Sequence, residues 1–319
     1  MSMMSRRRRR TRQDYMSDHP GLFDITDADE APLTPPADAS RPERLAFMSF
    51  GSGSSGNCAY VGTPSGGVLI DAGVDSKYVL EQLARNSIKI STISGIILTH
   101  DHGDHVKYAY AILRYNKHMR LFATPRTLEG ILRRHSISRR IADYHQPIFK
   151  EFTFKTAGLE ITPFETSHDG TDNVGFFIAG AGTSFVVNTD TGTITTRADH
   201  YIRQCRHLMI ESNYDAEMLR KGPYTERLKA RIASTSGHLD NADTARYVAA
   251  VAKNGLLQRI FLCHLSDENN TPSTALTAVR DALADADVRV TADIVAADDP
   301  RIAIQVLPRR EASPLTVLI

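Results

Sequence analysis

Between Thr99 and His105 the chain reads Thr-His-Asp-His-Gly-Asp-His, which puts five potential ligands within six residues directly after the apolar run Gly95–Leu98. A short buried strand ending in such a loop holds its ligands on a rigid scaffold while presenting them to a cleft. In an extended segment side chains alternate with period two, so His100 and His102 project to the same side. Gly103 then permits a sharp turn, and Asp104 and His105 address a second point nearby. Imidazoles mixed with carboxylates are the donor set of zinc, manganese or iron. The fold must therefore offer a strand whose exit opens on a polar, metal-holding rim.

The rest of the body supplies such a scaffold. Leu45–Phe50, Ala59–Gly62 and Gly67–Ile70 read as strands separated by Gly/Ser-rich turns, and Ser76–Arg85 reads as an amphipathic helix. Helices are expected at Tyr108–Asn116 and Arg126–His135. A second strand series covers Phe149–Lys155, Leu159–Glu165, Val174–Ala179 and Ser184–Asn188. Strands His207–Glu211, Arg259–Cys263, Arg289–Val295 and Ile302–Val306 then alternate with helices near Thr195–Gln204, Asn241–Lys253 and Pro272–Ala284. Two strand blocks, each followed by helices, predict an α/β (α+β) architecture: an αββα sandwich of two mixed β-sheets flanked by helices.

Composition separates this body, 45–319, from what precedes it. Arginines crowd positions 6 to 12, as in a twin-arginine export signal, but no apolar segment follows them. Acidic residues and prolines follow instead, so residues 1–44 are read as a disordered arm, basic and then acidic. The 38 basic and 37 acidic side chains nearly cancel, which excludes a uniformly basic coat protein but not a local basic patch. The three cysteines, Cys58, Cys205 and Cys263, have no disulfide or metal spacing, which fits a reducing, cytoplasmic setting. No apolar run reaches the ~20 residues of a membrane helix.

The run at His100–His105 matches the pattern H-x-H-x-D-H, and the chain resembles the metallo-β-lactamase-fold superfamily there and at three later points. His168 in Thr-Ser-His-Asp, Asp190 in Asn-Thr-Asp-Thr-Gly and His264 in Cys-His-Leu-Ser each end a predicted strand, in the order the superfamily uses. The resemblance implies two divalent metal ions, zinc or manganese, with His100, His102 and His168 on one, Asp104, His105 and His264 on the other, and Asp190 between. Two such cations, about 3.5–4 Å apart, share a water and stabilise both oxygens of an in-line phosphoryl displacement.

Departures narrow the branch. His102 stands where flavodiiron proteins carry Glu, and Val106-Lys107 replaces the Gly-Gly of glyoxalase-like thioesterases. The stretch from Asp190 to His264 is too short for the inserted domain of β-CASP nucleases, and the tRNA-gripping arm of ribonuclease Z is absent. Glu211, and His238 in Ser-Gly-His-Leu-Asp-Asn, resemble the proton-shuttling pair of ribonuclease-Z-like phosphodiesterases. A carboxylate behind an imidazole fixes its tautomer and raises its basicity, which suits proton donation to a leaving alkoxide. With the Gly/Ser segment Ser49–Cys58 and His-Leu-Ser-Asp-Glu-Asn-Asn at His264–Asn270, the chain is similar to the YycJ/WalJ (VicX) family over about residues 45 to 307. That family implies a 5′-to-3′ DNA exonuclease linked to DNA repair, with Asp104, Glu211 and His238 as catalytic groups.

Charge agrees with such a substrate. From Arg114 to Arg140 eight positive side chains are opposed by Glu129 alone, a patch able to hold phosphates in a salt-dependent way or simply to form a solvated helical face. Tyr108, Tyr110 and Tyr115 lie at helical spacing, as core or flanking residues would, though aromatics here could also stack on bases. Ser55 and Asn57 are candidate phosphate contacts. Two other readings stay open at this level: a hydrolase of small phosphodiesters or lactones, and a non-catalytic DNA-binding or regulatory scaffold.

Overall fold

The computed structural model describes residues 43–291 and 299–319; the arm, apart from Glu43 and Arg44, and the end of the strand expected at Arg289–Val295 lie outside them. The first sheet begins with β1 (Leu45–Gly51), β2 (Cys58–Thr63), β3 (Gly66–Ile70), β4 (Ile93–Ile97), β5 (Arg120–Ala123) and β6 (His145–Pro147). The second contains β7 (Phe154–Thr156), β8 (Leu159–Glu165), β9 (Val174–Gly180), β10 (Thr183–Asn188), β11 (His207–Glu211), β12 (Arg259–Cys263), β13 (Val290–Thr291) and β14 (Ile302–Val306). The last strand, β15 (Thr316–Leu318), returns to the first sheet beside β1. The spatial orders are β15-β1-β2-β3-β4-β5-β6 and β13-β14-β12-β11-β10-β9-β8-β7. In each sheet antiparallel hairpins give way to a parallel half: β3 to β6 in one, β10 to β14 in the other. Parallel strands point their C-terminal ends the same way, so both sheets open their loops on one rim.

Nine helices lie among the described residues: α1 (Ser76–Arg85), α2 (Gly103–Val106), α3 (Ala109–Tyr115), α4 (Pro125–Arg134), α5 (Thr196–Ile202), α6 (Ala216–Lys221), α7 (Glu226–Ile232), α8 (Asn241–Ala252) and α9 (Pro272–Asp285). Their starts follow the sequence closely. Asp75 caps α1 by accepting from the Lys77 and Tyr78 amides, Thr124 caps α4 ahead of Pro125, and Thr271 caps α9 ahead of Pro272. A side-chain acceptor before a first-turn proline satisfies one orphan amide where proline has none to offer.

Three apolar clusters give the four layers. Val79, Leu83, Ile112, Leu113 and Ile131 pack helices on the outer face of the first sheet; Val248, Ala275, Val279 and Leu283 do the same for the second. Between the sheets, the Phe47 ring lies 4.9 Å from that of Phe185 and 4.7 Å from that of Phe261, tying β1 to β10 and β12. Burying a phenylalanine of this kind contributes about 3–5 kcal/mol relative to alanine.

The expected sandwich is the observed one, with local differences. The strand expected at Phe149–Lys155 forms only from Phe154: Glu151 takes a left-handed backbone (φ 70°) and gives its amide to Pro163, turning the chain away from the sheet. Short β5, β6 and β15, and helices α6 and α7, were not expected from periodicity. Elements of three to seven residues span too few periods to register.

Candidate metal centre

All seven predicted ligands gather where the two sheets' parallel strands end. His100 follows β4, and His102 precedes α2, on which Asp104 and His105 lie. His168 follows β8, Asp190 follows β10, and His264 directly follows β12. Asp190 (φ 46°) and His264 (φ 54°) occupy the left-handed region, as does Asp71 (φ 59°) after β3. Non-glycine residues adopt that region at a cost of about 1–3 kcal/mol, and such strain concentrates where side chains must be aimed. Gly73 lets the backbone close in: a Cβ there would overlap the Asp104 carbonyl. Next to it the Asn57 amide bonds that carbonyl at 2.8 Å and the Ala72 amide bonds the His105 carbonyl at 2.7 Å.

The donor atoms form two overlapping groups. His100, His102 and His168 bring one nitrogen each within 4.8 Å of one another, and Asp104, with a carboxylate oxygen, does the same with one nitrogen each of His105 and His264. Asp190 faces both. Its Oδ2 lies 3.9 Å from His100 Nε2 and 3.7 Å from His168 Nε2, whereas its Oδ1 lies 3.5 Å from His105 Nε2 and 3.6 Å from His264 Nδ1.

For three of these histidines the opposite ring nitrogen is held from outside: His100 Nδ1 meets Thr99 Oγ1 at 3.0 Å, His105 Nδ1 meets Asp71 Oδ2 at 2.8 Å, and His168 Nδ1 meets the Gly237 carbonyl at 2.9 Å. His264 Nδ1, besides lying near Asp190, is held by Glu211 Oε1 at 2.8 Å, and its Nε2 lies 3.7 Å from Asp104 Oδ2. Nε2 of His100 and of His264 are buried with no hydrogen-bond partner. Buried polar atoms are nearly always satisfied. Unpartnered inward nitrogens, backed by outer partners that fix the tautomer, are what a metal-binding imidazole requires, so the donor set fits metal ions.

The electrostatics agree. Burial and neighbouring imidazoles push His100 well below its ordinary range, and burial with His168 pushes His102 down as well. Burial works against protonation of His105 too, but Asp190, Asp71 and Asp104 overcome it and raise His105 well above its ordinary value. For His264, Asp190, Asp104 and Glu211 outweigh burial and lift it to about 10. Asp190, despite burial that favours its neutral form, is held well below the carboxylate range by His264 and His105. These buried carboxylates thus require positive charge between them.

Glu211 ends β11, fully buried. Its Oε1 also receives His238 Nδ1 at 2.7 Å, and its Oε2 accepts the Thr191 amide at 2.8 Å and the Leu239 amide at 3.3 Å. The two residues expected to form a proton shuttle are therefore in contact, and Glu211 touches His264 as well. Asn57 and Ser55 part company. Asn57 is buried, its Nδ2 given to the Gly53 carbonyl, to Asp104 Oδ2 at 3.2 Å and toward His105 Nε2 at 2.9 Å; Ser55 is exposed at the loop tip. Asn57 thus braces Asp104 from within instead of facing outward.

Sequence reasoning missed Asp71. Beyond its bond to His105 it accepts from the Thr99 amide at 2.8 Å and from the Thr99 hydroxyl, locking the motif loop to β3. The signal was an aspartate closing an apolar strand in Val-Leu-Ile-Asp-Ala-Gly. Asp101, counted among the five potential ligands of the motif, is instead fully buried and accepts from the Thr171 amide and hydroxyl, tying the motif to the loop after His168.

A family model described as "Beta-lactamase superfamily domain" matches residues 67–264, a span containing all seven ligands. The chain belongs to the beta-lactamase superfamily. Within that superfamily it is a member of the WalJ/YycJ family. It is 34% identical over 248 residues to exodeoxyribonuclease WalJ of Streptococcus pneumoniae strain D39, covering 77% of this chain and 91% of that protein. It is 33% identical over 240 residues to exodeoxyribonuclease YycJ of Bacillus anthracis, covering 75% and 89%. Among solved structures, the metallo-beta-lactamase fold protein YhfI from Bacillus subtilis superposes with a TM-score of 0.59 at 11% identity, over 85% of this chain and 99% of that one, a likeness of fold. Superfamily membership accounts for the four-layer sandwich and for ligands at strand ends.

Proposed function

We propose that this chain is a metal-dependent 5′-to-3′ DNA exonuclease of DNA repair, acting in the cytoplasm with two divalent ions, zinc or manganese. One observation carries the reading: two trios of ligands share Asp190, one oxygen toward each. In this assignment His100, His102 and His168 would hold one ion and Asp104, His105 and His264 the other, with Asp190 available to both. Bound there, the ions supply Lewis acidity toward a water and toward phosphate oxygens. Asp104, on the less buried side and braced by Asn57, orients the attacking water. Glu211 accepts His238 Nδ1–H, leaving Nε2 of His238 to hand a proton to the departing alkoxide.

The DNA assignment is supported by the names of the relatives and by the surface. Arg114, Lys117, Arg120, Arg126 and Arg133 are exposed, and Tyr115 is 74% exposed with the Arg114 guanidinium 4.4 Å from its ring. A cationic side chain beside a bare aromatic face suits a single strand, whose phosphates and bases need both. A cavity of about 390 Å³ is lined by His168, Arg126 and Lys150, the last paired with Asp172 and Glu165. The three cysteines are buried and unpaired, in keeping with a reducing compartment. No described helix is long and apolar enough to cross a membrane.

The test is digestion of 5′- and 3′-end-labelled DNA and RNA with each metal in turn. Release of nucleotides from the 5′ end of DNA, abolished by chelation and by His100→Ala, is expected. Intact DNA beside turnover of a small ester would overturn the reading.

A further inference from the structure

We propose that Asp169 is the positioning residue for His102, and that Arg231 anchors Asp169 for that task. The proposal deepens the metal reading above and rests on it. Four of the five imidazoles present Nε2 inward, with Nδ1 held by Thr99, Asp71, Gly237 or Glu211. His102 is reversed. Its Nδ1 lies 3.2 Å from His168 Nε2, close to the spacing of about 3.4 Å expected for two nitrogens bound about 2.0–2.1 Å from one tetrahedral ion. Its Nε2 therefore faces away from the centre, and there it meets Asp169 Oδ1 at 3.3 Å.

Asp169 is suited to the task. Oδ1 is buried and makes no hydrogen bond, so it is open to a proton from His102 Nε2 at 3.3 Å, with His168 Nε2 at 3.6 Å. Oδ2 is fixed separately by Arg231 Nε at 2.6 Å. A carboxylate so anchored keeps one oxygen free to accept the Nε2–H of His102, which selects the tautomer with its Nδ1 lone pair inward. Arg231 lies on α7, and the next carbonyl, that of Ile232, accepts the His238 amide at 2.8 Å. One turn of α7 thus sets both His238 and, through Asp169, His102. Although Asp169 adjoins His168 in sequence, the residue it serves is a different histidine.

Metal uptake tests this without recourse to turnover. The full chain, stripped by chelation, is titrated with zinc and with cobalt by calorimetry, alongside Asp169→Ala, Asp169→Asn and Arg231→Ala; circular dichroism of the stripped proteins checks folding. Wild type is expected to load two equivalents. Asp169→Ala should bind one of them 10–100-fold more weakly and the other unchanged. Asp169→Asn, whose amide oxygen still accepts from Nε2–H, should recover most of the loss and keep the wild-type cobalt absorption spectrum, and Arg231→Ala should lose less than Asp169→Ala. Two equivalents at wild-type affinity in Asp169→Ala would overturn the proposal alone. So would an Asn variant as weak as Ala with a cobalt spectrum of lower coordination number, since Asp169 would then be a ligand. A wild-type chain that loads no metal would overturn the metal reading and the proposal together.

Discussion

Asp71 and Glu211 stand at corresponding places in the two sheets, each a buried carboxylate at the end of a parallel strand with an imidazole pinned behind the centre. Their duties differ. Asp71 spends its oxygens on the Thr99 amide, the Thr99 hydroxyl and His105, so it fixes one loop and one histidine. Glu211 divides one oxygen between His264 and His238 and gives the other to two backbone amides. Burial opposes its charge, yet His238 and His264 hold it below the ordinary carboxylate range. The first carboxylate is a fastener; the second joins a proposed metal ligand to a proposed proton donor. The comparison teaches that similar positions in a quasi-symmetric sandwich separate into structural and chemical roles according to how many partners one oxygen serves.

That contrast can be broken experimentally. Glu211→Ala should have the largest effect, removing both functions at once: nuclease turnover is lost and stability falls by about 3–5 kcal/mol, as when one member of a buried charged pair is deleted. Urea unfolding of the metal-free protein reads the second quantity. His238→Ala should separate the two. It is expected to lower kcat by about 10²–10⁴ while metal content by mass spectrometry stays at the wild-type level; lost metal would mean that Glu211 and His238 act only on the scaffold. Asp71→Ala should do the converse, weakening one metal equivalent about 10–100-fold with a smaller change in kcat once metal is saturating.

The gentlest perturbation is pH, and it reaches β11 at its other end. His207 is buried, with Nε2 against Thr183 Oγ1 at 3.0 Å, and burial with nearby Arg259 depresses it to about 3. A histidine depressed in the folded state stays neutral there while the unfolded chain takes up the proton. Its contribution is therefore complete above about pH 6.5 and declines toward pH 3, by at most about 1.4 kcal/mol per pH unit. Urea midpoints between pH 7 and 5 should fall more in wild type than in His207→Gln; equal slopes would show that acid acts through the metal centre instead.

The two sheets also differ in how openly the sequence displays their share of the site. The first sheet's ligands fall within six consecutive residues after one strand, a density that needs no three-dimensional information to be read. The second sheet contributes one residue per strand end, His168, Asp190 and His264, each unremarkable alone and legible only through order and family resemblance. The bracing roles of Asp71, Asp101 and Asp169 escaped because an aspartate's outer partner lies far away in sequence: Asp71 reaches over to His105, and Asp101 to Thr171. Tyr115, read as core or flank, lies on the flank. Helical spacing puts it on a plausible core face, but α3 ends at that residue and leaves its ring outside.

The left-handed backbones of Asp71, Asp190 and His264 bear on how the protein tolerates change. Glycine would relax each of them, but at Asp190 and His264 it would delete the side chain the bend exists to aim. A lineage released from nuclease selection would gain stability by substituting these positions first, whereas a working enzyme must retain them as a fixed load on its folding equilibrium. The bent rim is thus a standing cost in stability that aims two side chains of the site, whichever metal it prefers.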